Sequence, residues 1–208
     1  DPPKTWAIKA EIKDPKKSGK NLVYYQFLID PRKLLKIATV ARRERPEQKF
    51  YQRALIGDKL NKIRNYLEEG NISPNNIVVG FEPDIWSGTS GGGFNPINLE
   101  KSLRSSPTAK QLYDEQEKIA KDTGIQMVRF GTLTFPRQFR SCWIIDGQHR
   151  LYGLAKSVMK PTSGRNPTKL EQIKLPIIAF ESLEQEEMGK MFLDINTNQK
   201  AIDADLKY

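Results

Sequence analysis

Cysteine and histidine are nearly absent from this chain of 208 residues, which has one of each, Cys142 and His149. The single cysteine excludes a disulfide framework and any metal site built on several cysteines. The single histidine excludes a His-rich metal site, and a Ser/His/Asp triad anywhere in the chain would have to use His149. Any histidine chemistry in this protein therefore depends on one residue.

Long apolar segments are missing as well. No apolar run approaches the roughly 20 residues that a membrane-spanning helix needs, and residues 1–13 lack the apolar segment of a signal peptide. Together with the lone cysteine, these absences predict a cytoplasmic protein in a reducing compartment. The chain begins with Asp1 rather than Met, so we expect a fragment or a processed form of a longer protein.

Acidic residues are outnumbered, with 25 Asp and Glu against 34 Lys and Arg and a net charge of +9. Such a surplus favours a polyanionic partner, of which nucleic acid is the commonest, although a merely basic soluble protein is the alternative. The surplus is concentrated, because residues 32–64 contain eleven basic and three acidic residues, whereas residues 181–187 are acidic. This concentration favours a binding face.

The basic stretch contains four candidates for contact with DNA phosphates: Arg42, Arg43, Arg45 and Lys49. A solvated helix face followed by a linker would have the same composition, so both interpretations stay open. The stretch has few aromatic residues, and stacking of single-stranded bases is therefore not expected there.

The predicted elements follow one another irregularly, which favours the α+β class. Trp6, Ile8, Ala10 and Ile12 alternate with residues 7, 9, 11 and 13, which predicts a half-buried strand, with "NLVYYQFLI" as its hairpin partner. Asp30 and Pro31 predict the start of a helix that runs to about Val40. Further strands are predicted in "NNIVVGF", "IQMVRFGTLTF", "SCWIID" and "KLPIIAF", the middle two as a hairpin around "PRQFR". Further helices are predicted from Asp58 to Gly70, from Ala109 to Lys121, over "HRLYGLAKSVM" and from Glu184 to Leu193.

We expect a single domain over residues 1–208 with an insertion near 82–108. The segment "SGTSGGGFNP" lacks the apolar residues for a packed core, and the whole stretch indicates a long flexible loop.

The segment "IIDGQHRLYGL", residues 144–154, joins a predicted strand to a predicted helix through five polar or small residues. Gly147 allows a tight turn, and the first turn of a helix offers free N–H groups and a positive dipole end to an anion. Arg150 would add a planar fork for phosphate, Gln148 and His149 would orient a ligand, and Asp146 would cap the helix, hold a metal ion or position a water. The alternative is structural, with Asp146 as an N-cap and Arg150 paired with a nearby acid.

These residues resemble the naming motif of the DGQHR-domain family, whose members include DndB-like proteins, within the ParB/sulfiredoxin superfamily. The blocks "FYQRALIGDKLNKIRNYLEEGNISPNNIVV" and "MFLDINTNQKAI" resemble the family's upstream and downstream blocks, so the resemblance covers roughly residues 50–206 in the right order. It implies a ParB/sulfiredoxin-like mixed sheet with flanking helices. It also implies a place in a DNA phosphorothioation or 7-deazaguanine DNA-modification and defence locus.

The superfamily resemblance also implies a nucleotide site. ParB-type domains bind a nucleoside triphosphate on a Gly-x-Arg-Arg turn, and Gly147, His149 and Arg150 fall on that motif. Its second block resembles Asp194, Asn196, Asn198 and Gln199, although Lys200 stands where an arginine is expected. Gln52 and Arg53 would line the same cleft. Gln148 stands in the region of sulfiredoxin's catalytic cysteine, so thiol chemistry is not carried over.

Three functions stay open. The first is a DNA-associated protein that binds ATP or CTP, with Mg²⁺ as a further cofactor and slow hydrolysis that uses Asp146 and His149. The second is a transcriptional repressor without chemistry, although no clear helix-turn-helix pattern is present. The third is a ParB-like nuclease, which would need a carboxylate cluster for metal ions, with candidates Asp146, Asp194, Asp203 and Asp205. The expected partners are DNA, a nucleotide and other proteins of a DNA-modification system.

Overall fold

The computed structural model describes residues 3–13, 21–40, 55–69, 71, 75–86, 92–97, 107–123, 128–159, 173–181 and 183–198. Eight strands of this part form one sheet: β1 (Lys4–Lys13), β2 (Asn21–Ile29), β3 (Ala38–Val40), β4 (Ile77–Phe81), β5 (Gly93–Pro96), β6 (Arg129–Thr134), β7 (Cys142–Asp146) and β8 (Leu175–Phe180). Six helices accompany them: α1 (Pro31–Ile37), α2 (Gly57–Glu68), α3 (Pro83–Trp86), α4 (Pro107–Thr123), α5 (Gln148–Met159) and α6 (Gln185–Asn198). The predicted α+β class is confirmed.

The sheet is mixed, with the strand order β3-β7-β4-β8-β2-β1-β6-β5. The pairs β3–β7 and β4–β8 are parallel, and the remaining neighbours are antiparallel. The predicted hairpin of β1 and β2 is confirmed, with Ala7 opposite Phe27 and Ile12 opposite Leu22. The strand predicted in "SCWIID" lies between β3 and β4, which places the DGQHR residues at one end of the sheet, near its β3 edge.

The two faces of the sheet are packed by different helices. Ile144 faces a core with Leu151 and Leu154 of α5, and α5 in turn packs on α1 and α2. Its neighbour Ile145 faces the opposite side, where it packs with Leu183 and with Met188 of α6. We call the side of Ile144 the inner face and the side of Ile145 the outer face. Because side chains alternate along a strand, one strand supports a helix on each side.

The buried side of β1 is the opposite of the predicted one. The prediction placed Trp6, Ile8, Ala10 and Ile12 on the buried side. Ala10 is buried as predicted, whereas Trp6, Ile8 and Ile12 are exposed and Ala7 is buried instead. Pairing with β2 determines which side of β1 is buried. Ala7 is opposite Phe27, which packs in the core together with Tyr25 and Ile29 of the same strand. The larger side chains of β2 select the inner face.

One boundary and one pairing were also predicted wrongly. The first helix ends at Ile37 rather than near Val40, because Thr39 and Val40 form a parallel strand beside Trp143 and Ile144. The strands β6 and β7 do not pair as a hairpin, since β6 lies between β1 and β5. Their connection is held instead by the burial of Phe135, and by a hydrogen bond from Trp86 Nε1 to the Ser141 carbonyl (2.9 Å).

Ordered elements lie inside the stretch predicted as a long loop. Pro83–Trp86 is a short helix and Gly93–Pro96 is a strand paired with β6. Trp86 stacks on Phe81 with ring centroids 3.7 Å apart, and Phe94 lies 5.6 Å from the Tyr25 ring. These aromatic contacts come from distant parts of the chain, so local composition did not reveal them.

Candidate functional site

The DGQHR residues form a turn between β7 and α5. Gly147 has φ 91, a left-handed conformation that favours glycine. Its carbonyl accepts the first helical hydrogen bond, from the Leu151 N–H (3.0 Å), which makes Gly147 the N-cap of α5. Capping of the helix was one of three roles considered for Asp146, but the cap position lies one residue later. The strand-to-helix placement of the motif is confirmed.

Asp146 and Arg150 form an ion pair across the start of the helix. Arg150 Nη2 donates to Asp146 Oδ2 (2.7 Å) and to the Asn76 carbonyl (3.0 Å). The two side chains are 24% and 18% exposed, respectively, so solvent reaches this pair only in part. The alternative role weighed above, an arginine paired with a nearby acid, is thus realised. The buried Arg150 Nε has no hydrogen-bond partner in the described part of the chain.

The guanidinium of Arg150 lies directly against Gly147. A Cβ atom at position 147 would come within 2.9 Å of Arg150 Nη2 and 3.2 Å of Nε. It would also lie 2.9 Å from Ile77 Cγ1. The glycine thus serves two purposes, since it adopts the turn conformation and leaves room for the arginine.

Gln148 and His149 complete the turn. Gln148 is one of two buried polar residues in the described part of the chain. His149 Nε2 accepts a hydrogen bond from the Ile56 N–H at 3.4 Å. Ile56 precedes α2, and the contact joins the DGQHR turn to the segment that follows Gln52 and Arg53 in sequence.

The comparison with family models adds an independent observation. The model of a family described as DndB, DNA-sulfur modification-associated, matches residues 18–208. The chain belongs to the DndB family. No curated protein and no solved structure matches it.

Several site residues predicted for this DndB-family chain lie outside the described residues. They are Gln52 and Arg53 of the cleft, Gln199 of the downstream block, the nuclease candidates Asp203 and Asp205, and the DNA-contact candidates Arg42, Arg43, Arg45 and Lys49. These assignments stay predictions.

The described part of the downstream block, residues 191–198, is helical. Asp194, Asn196 and Asn198 all belong to α6, which ends at Asn198 rather than near Leu193. The Asn196 amide donates to the Phe192 carbonyl one turn earlier (2.7 Å). Thr197 makes the same kind of bond to the Leu193 carbonyl (2.8 Å). These side chain to backbone bonds provide partners within the helix for side chains that usually favour turns.

The start of α6 packs on the outer face of the sheet. Met188 lies against Gly80, which is paired with Trp143 of β7. Met188 also packs with Ile145 of the same strand.

Two atoms that shape the site left no signal in the sequence. The Asn76 carbonyl and the Ile56 N–H are backbone groups, which every residue except proline offers in the same form. Only the tertiary structure could identify them. Among the described residues, no group of three or more His, Cys, Asp and Glu is placed to hold a metal ion. No described helix is long and apolar enough to cross a membrane.

Proposed function

We propose that this DndB-family chain is a DNA-associated, nucleotide-binding protein whose DGQHR turn holds the phosphates of a nucleoside triphosphate. The observation that carries the proposal is the placement of the Arg150 guanidinium against Gly147, at the N-terminal end of a helix of 12 residues. The N–H groups of the first helical turn and the guanidinium can then bind the same anion. The resemblance to ParB-type nucleotide sites supports the same assignment.

Phosphate binding would replace the Asp146 carboxylate as the partner of Arg150. In the structure the guanidinium is engaged by the Asp146 carboxylate, a single negative charge that is partly exposed. A triphosphate brings several negative oxygens and can accept two parallel hydrogen bonds from one guanidinium. We infer that phosphate displaces Asp146, whose carboxylate then becomes available.

A released Asp146 suits a role in slow hydrolysis. Its carboxylate would hold Mg²⁺, which supplies charge neutralisation at the phosphates when it is bound, or would orient the attacking water. His149 is the second candidate catalytic residue, with Nε2 available as an acceptor once the Ile56 N–H releases it. Gln148 would position the ligand from the same turn.

The walls of the proposed cleft come from two other segments. Gln52 and Arg53 precede Ile56, whose N–H contacts His149. Asn196 lies near the end of α6, with Asn198 as the last helical residue and Gln199 directly after it. We propose that both segments contact the nucleotide. Arg42, Arg43, Arg45 and Lys49 are proposed to contact DNA phosphates through the charge of the basic stretch.

A thermal-shift screen tests the nucleotide proposal. The chain is heated with ATP, CTP, GTP or UTP, each with and without Mg²⁺, and one nucleotide is expected to raise the melting temperature selectively. At a hundredfold excess over Kd the stabilisation is about 2.7 kcal/mol. Arg150→Ala should abolish the shift, whereas Arg137→Ala, which removes an exposed arginine elsewhere, should retain it. A shift that persists in Arg150→Ala contradicts the proposal.

Asp146→Asn separates binding from structure. This variant removes the anion that competes for Arg150, so it should bind the nucleotide at least as tightly as the wild type and hydrolyse it more slowly. Loss of binding in Asp146→Asn would argue that the ion pair itself builds the site. Absence of any nucleotide shift, combined with a footprint on one promoter, would favour the repressor. Metal-dependent nicking of plasmid DNA that is lost in Asp146→Asn would favour the nuclease.

A further inference from the structure

An exposed apolar patch lies on the outer face of the sheet, away from the DGQHR turn. Five residues on three neighbouring strands form it, and we call them the outer patch: Trp6, Ile8 and Ile12 of β1, Leu28 of β2 and Phe130 of β6. Their exposed fractions are 59%, 38%, 46%, 55% and 48%, respectively. Large apolar side chains that cluster at such exposure on a folded protein mark a binding surface.

The register of the strands places two aromatic rings side by side in this patch. Ile8 is opposite Phe130 and Trp6 is opposite Thr132, so Trp6 and Phe130 are diagonal neighbours on the same face. Their ring centroids are 5.4 Å apart and their planes differ by 12°. The two rings thus form a short, nearly parallel stack with half-exposed members.

Hydrogen-bonding side chains lie beside the rings. Gln26 of β2 is opposite Ile8, and Thr132 of β6 is opposite Trp6, so both belong to the same face. An amide and a hydroxyl can each donate and accept hydrogen bonds. The patch therefore combines flat apolar surface with a few adaptable polar groups.

The charge around the patch is of one sign. The outward positions of these three strands are the even-numbered ones, and none of those positions carries an acidic residue. Lys4 is exposed near the Thr134 end of the face. Arg129 of β6 is opposite Lys9 and therefore belongs to the inner side. The acid of β1, Glu11, points to the inner side, where it pairs with Lys9 (3.6 Å).

This charge pattern distinguishes between occupants. A second copy of the chain would bring its own net charge of +9 toward the exposed Lys4. A polyanion with flat apolar faces fits both this cation and the rings. Single-stranded nucleic acid has these properties, because its phosphates are anionic and each base has a face that stacks on aromatic side chains.

We propose that the outer patch binds single-stranded DNA, with bases stacked on Trp6 and Phe130 and a phosphate near Lys4. The inference deepens the DNA association proposed above, and it does not depend on nucleotide binding at the DGQHR turn. Bases in a duplex are stacked on one another and their faces are closed to a protein surface. The patch therefore selects unpaired DNA, such as a locally opened strand.

The test measures binding of a fluorescently labelled 12-nucleotide oligo(dT) by anisotropy. Trp6→Ala and Phe130→Ala are each expected to weaken binding about tenfold or more, since one base–aromatic stack is lost. Trp6→Phe keeps a ring and should stay much closer to the wild type. Tyr66→Ala removes an aromatic side chain of similar exposure (49%) from α2 and should leave the affinity unchanged.

Tryptophan fluorescence provides a second readout within the same titration. Trp6 is exposed, whereas Trp86 packs in the aromatic core and Trp143 is partly buried. Stacking on DNA should quench the emission of the wild type, and the quenched component should be missing in Trp6→Ala. Both variants are checked for an unchanged melting temperature, which exposed side chains should preserve.

Three results would overturn the proposal. One is equal affinity of the wild type, Trp6→Ala and Phe130→Ala for oligo(dT). Another is equally strong competition by a 12-base-pair duplex. The third is self-association in sedimentation that Trp6→Ala abolishes, which would assign the patch to a second copy. Arg150→Ala should still bind oligo(dT) and Trp6→Ala should still show a nucleotide shift, so failure of either proposal is recognised separately.

Discussion

The guanidinium of Arg150 and the backbone of Gly147 occupy adjoining space at the start of α5, so closely that a Cβ at position 147 would lie 2.9 Å from Nη2. The same guanidinium holds Asp146 on the preceding strand. Three of the five motif residues thus depend on one another, with the glycine admitting the arginine and the arginine binding the aspartate. The motif is a structural unit in addition to a candidate binding site.

Replacement of Gly147 by alanine should destabilise the protein by about 2–4 kcal/mol. The left-handed conformation costs an alanine roughly 1–2 kcal/mol, and the added Cβ meets Ile77 and Arg150 as well. The free energy of unfolding is measured by urea denaturation. Gly57→Ala is the matched control, because a Cβ there has nothing within 4 Å and lies at the start of a helix. Equal stability of the two variants would contradict the argument.

A double-mutant cycle on Asp146 and Arg150 should give a coupling energy of about 1 kcal/mol that decreases with added salt. The comparison is with Glu117 and Lys121 of α4, another pair spaced by four residues, whose side chains are 44% and 74% exposed. Because water screens that second pair more strongly, its coupling should be only about 0.3–0.5 kcal/mol. A coupling in the first pair no larger than in the second would show that partial burial adds nothing.

The contribution of Asp30 to stability should disappear in acid. Its carboxylate caps α1 by accepting from the Arg32 N–H (2.8 Å) and also binds the Arg32 guanidinium. The hydrogen bonds from Arg32 hold the pKa of Asp30 below its ordinary value of 3.8. A lowered native pKa means that the stabilisation is present above pH 3.8 and is lost as pH falls through the native value.

Asp30→Asn keeps a capping oxygen but loses the charge, so it should be less stable than the wild type at pH 7 by about 0.5–1 kcal/mol. This difference should shrink as the wild-type carboxylate becomes protonated. Asp30→Ala also removes the cap and should remain destabilised in acid. Urea unfolding at pH 7, 5 and 3 measures all three proteins. A constant difference between wild type and Asp30→Asn at every pH would contradict the assignment.

Alkaline solution should destabilise the fold through Cys142. Burial raises the pKa of its thiol from 9.0 to about 12, so above pH 9 the unfolded chain ionises this group while the native chain does not. The free energy of unfolding therefore falls as pH rises from 9, by about 1.4 kcal/mol per pH unit for this one group. Cys142→Ala should show a shallower decline between pH 8 and 10.5.

A thiol reagent tests the same burial directly. At pH 8 Cys142 should react only after the protein unfolds, because the thiol is 1% exposed and protonated. In the alkaline unfolding experiment, Tyr25 lowers the free energy of unfolding of the wild type and of Cys142→Ala alike, since burial and a hydrogen bond to Glu181 raise its pKa as well. Rapid labelling of the native protein would contradict the structure at β7.

Local pattern was sufficient for the class of the fold, for most elements and for the location of the candidate site. We could predict the hairpin of β1 and β2, the strand β7 and the helix α5. The spacing of apolar residues that is typical of a strand or a helix is visible within a few residues of sequence. The glycine in "DGQHR" likewise predicted a tight turn, which Gly147 forms.

The tertiary structure decided what those elements face. Trp6, Ile8 and Ile12 have the spacing of a buried strand face, yet they are exposed because Phe27, opposite Ala7, selects the other face. The end of α1 at Ile37 and the separation of β6 from β7 depend on pairing partners that are far away in sequence. Burial and strand pairing are properties of contacts between segments, so neither periodicity nor propensity within one segment contains them.

The site shows the same division. The sequence by itself determined that Asp146, Gly147, Gln148, His149 and Arg150 would gather at a strand-to-helix turn. Only the tertiary structure brought the Asn76 carbonyl to Arg150 and the Ile56 N–H to His149. The side chains of a short motif are placed by their own backbone, whereas the partners that hold them are backbone groups of other segments, which the folding of the whole chain alone positions.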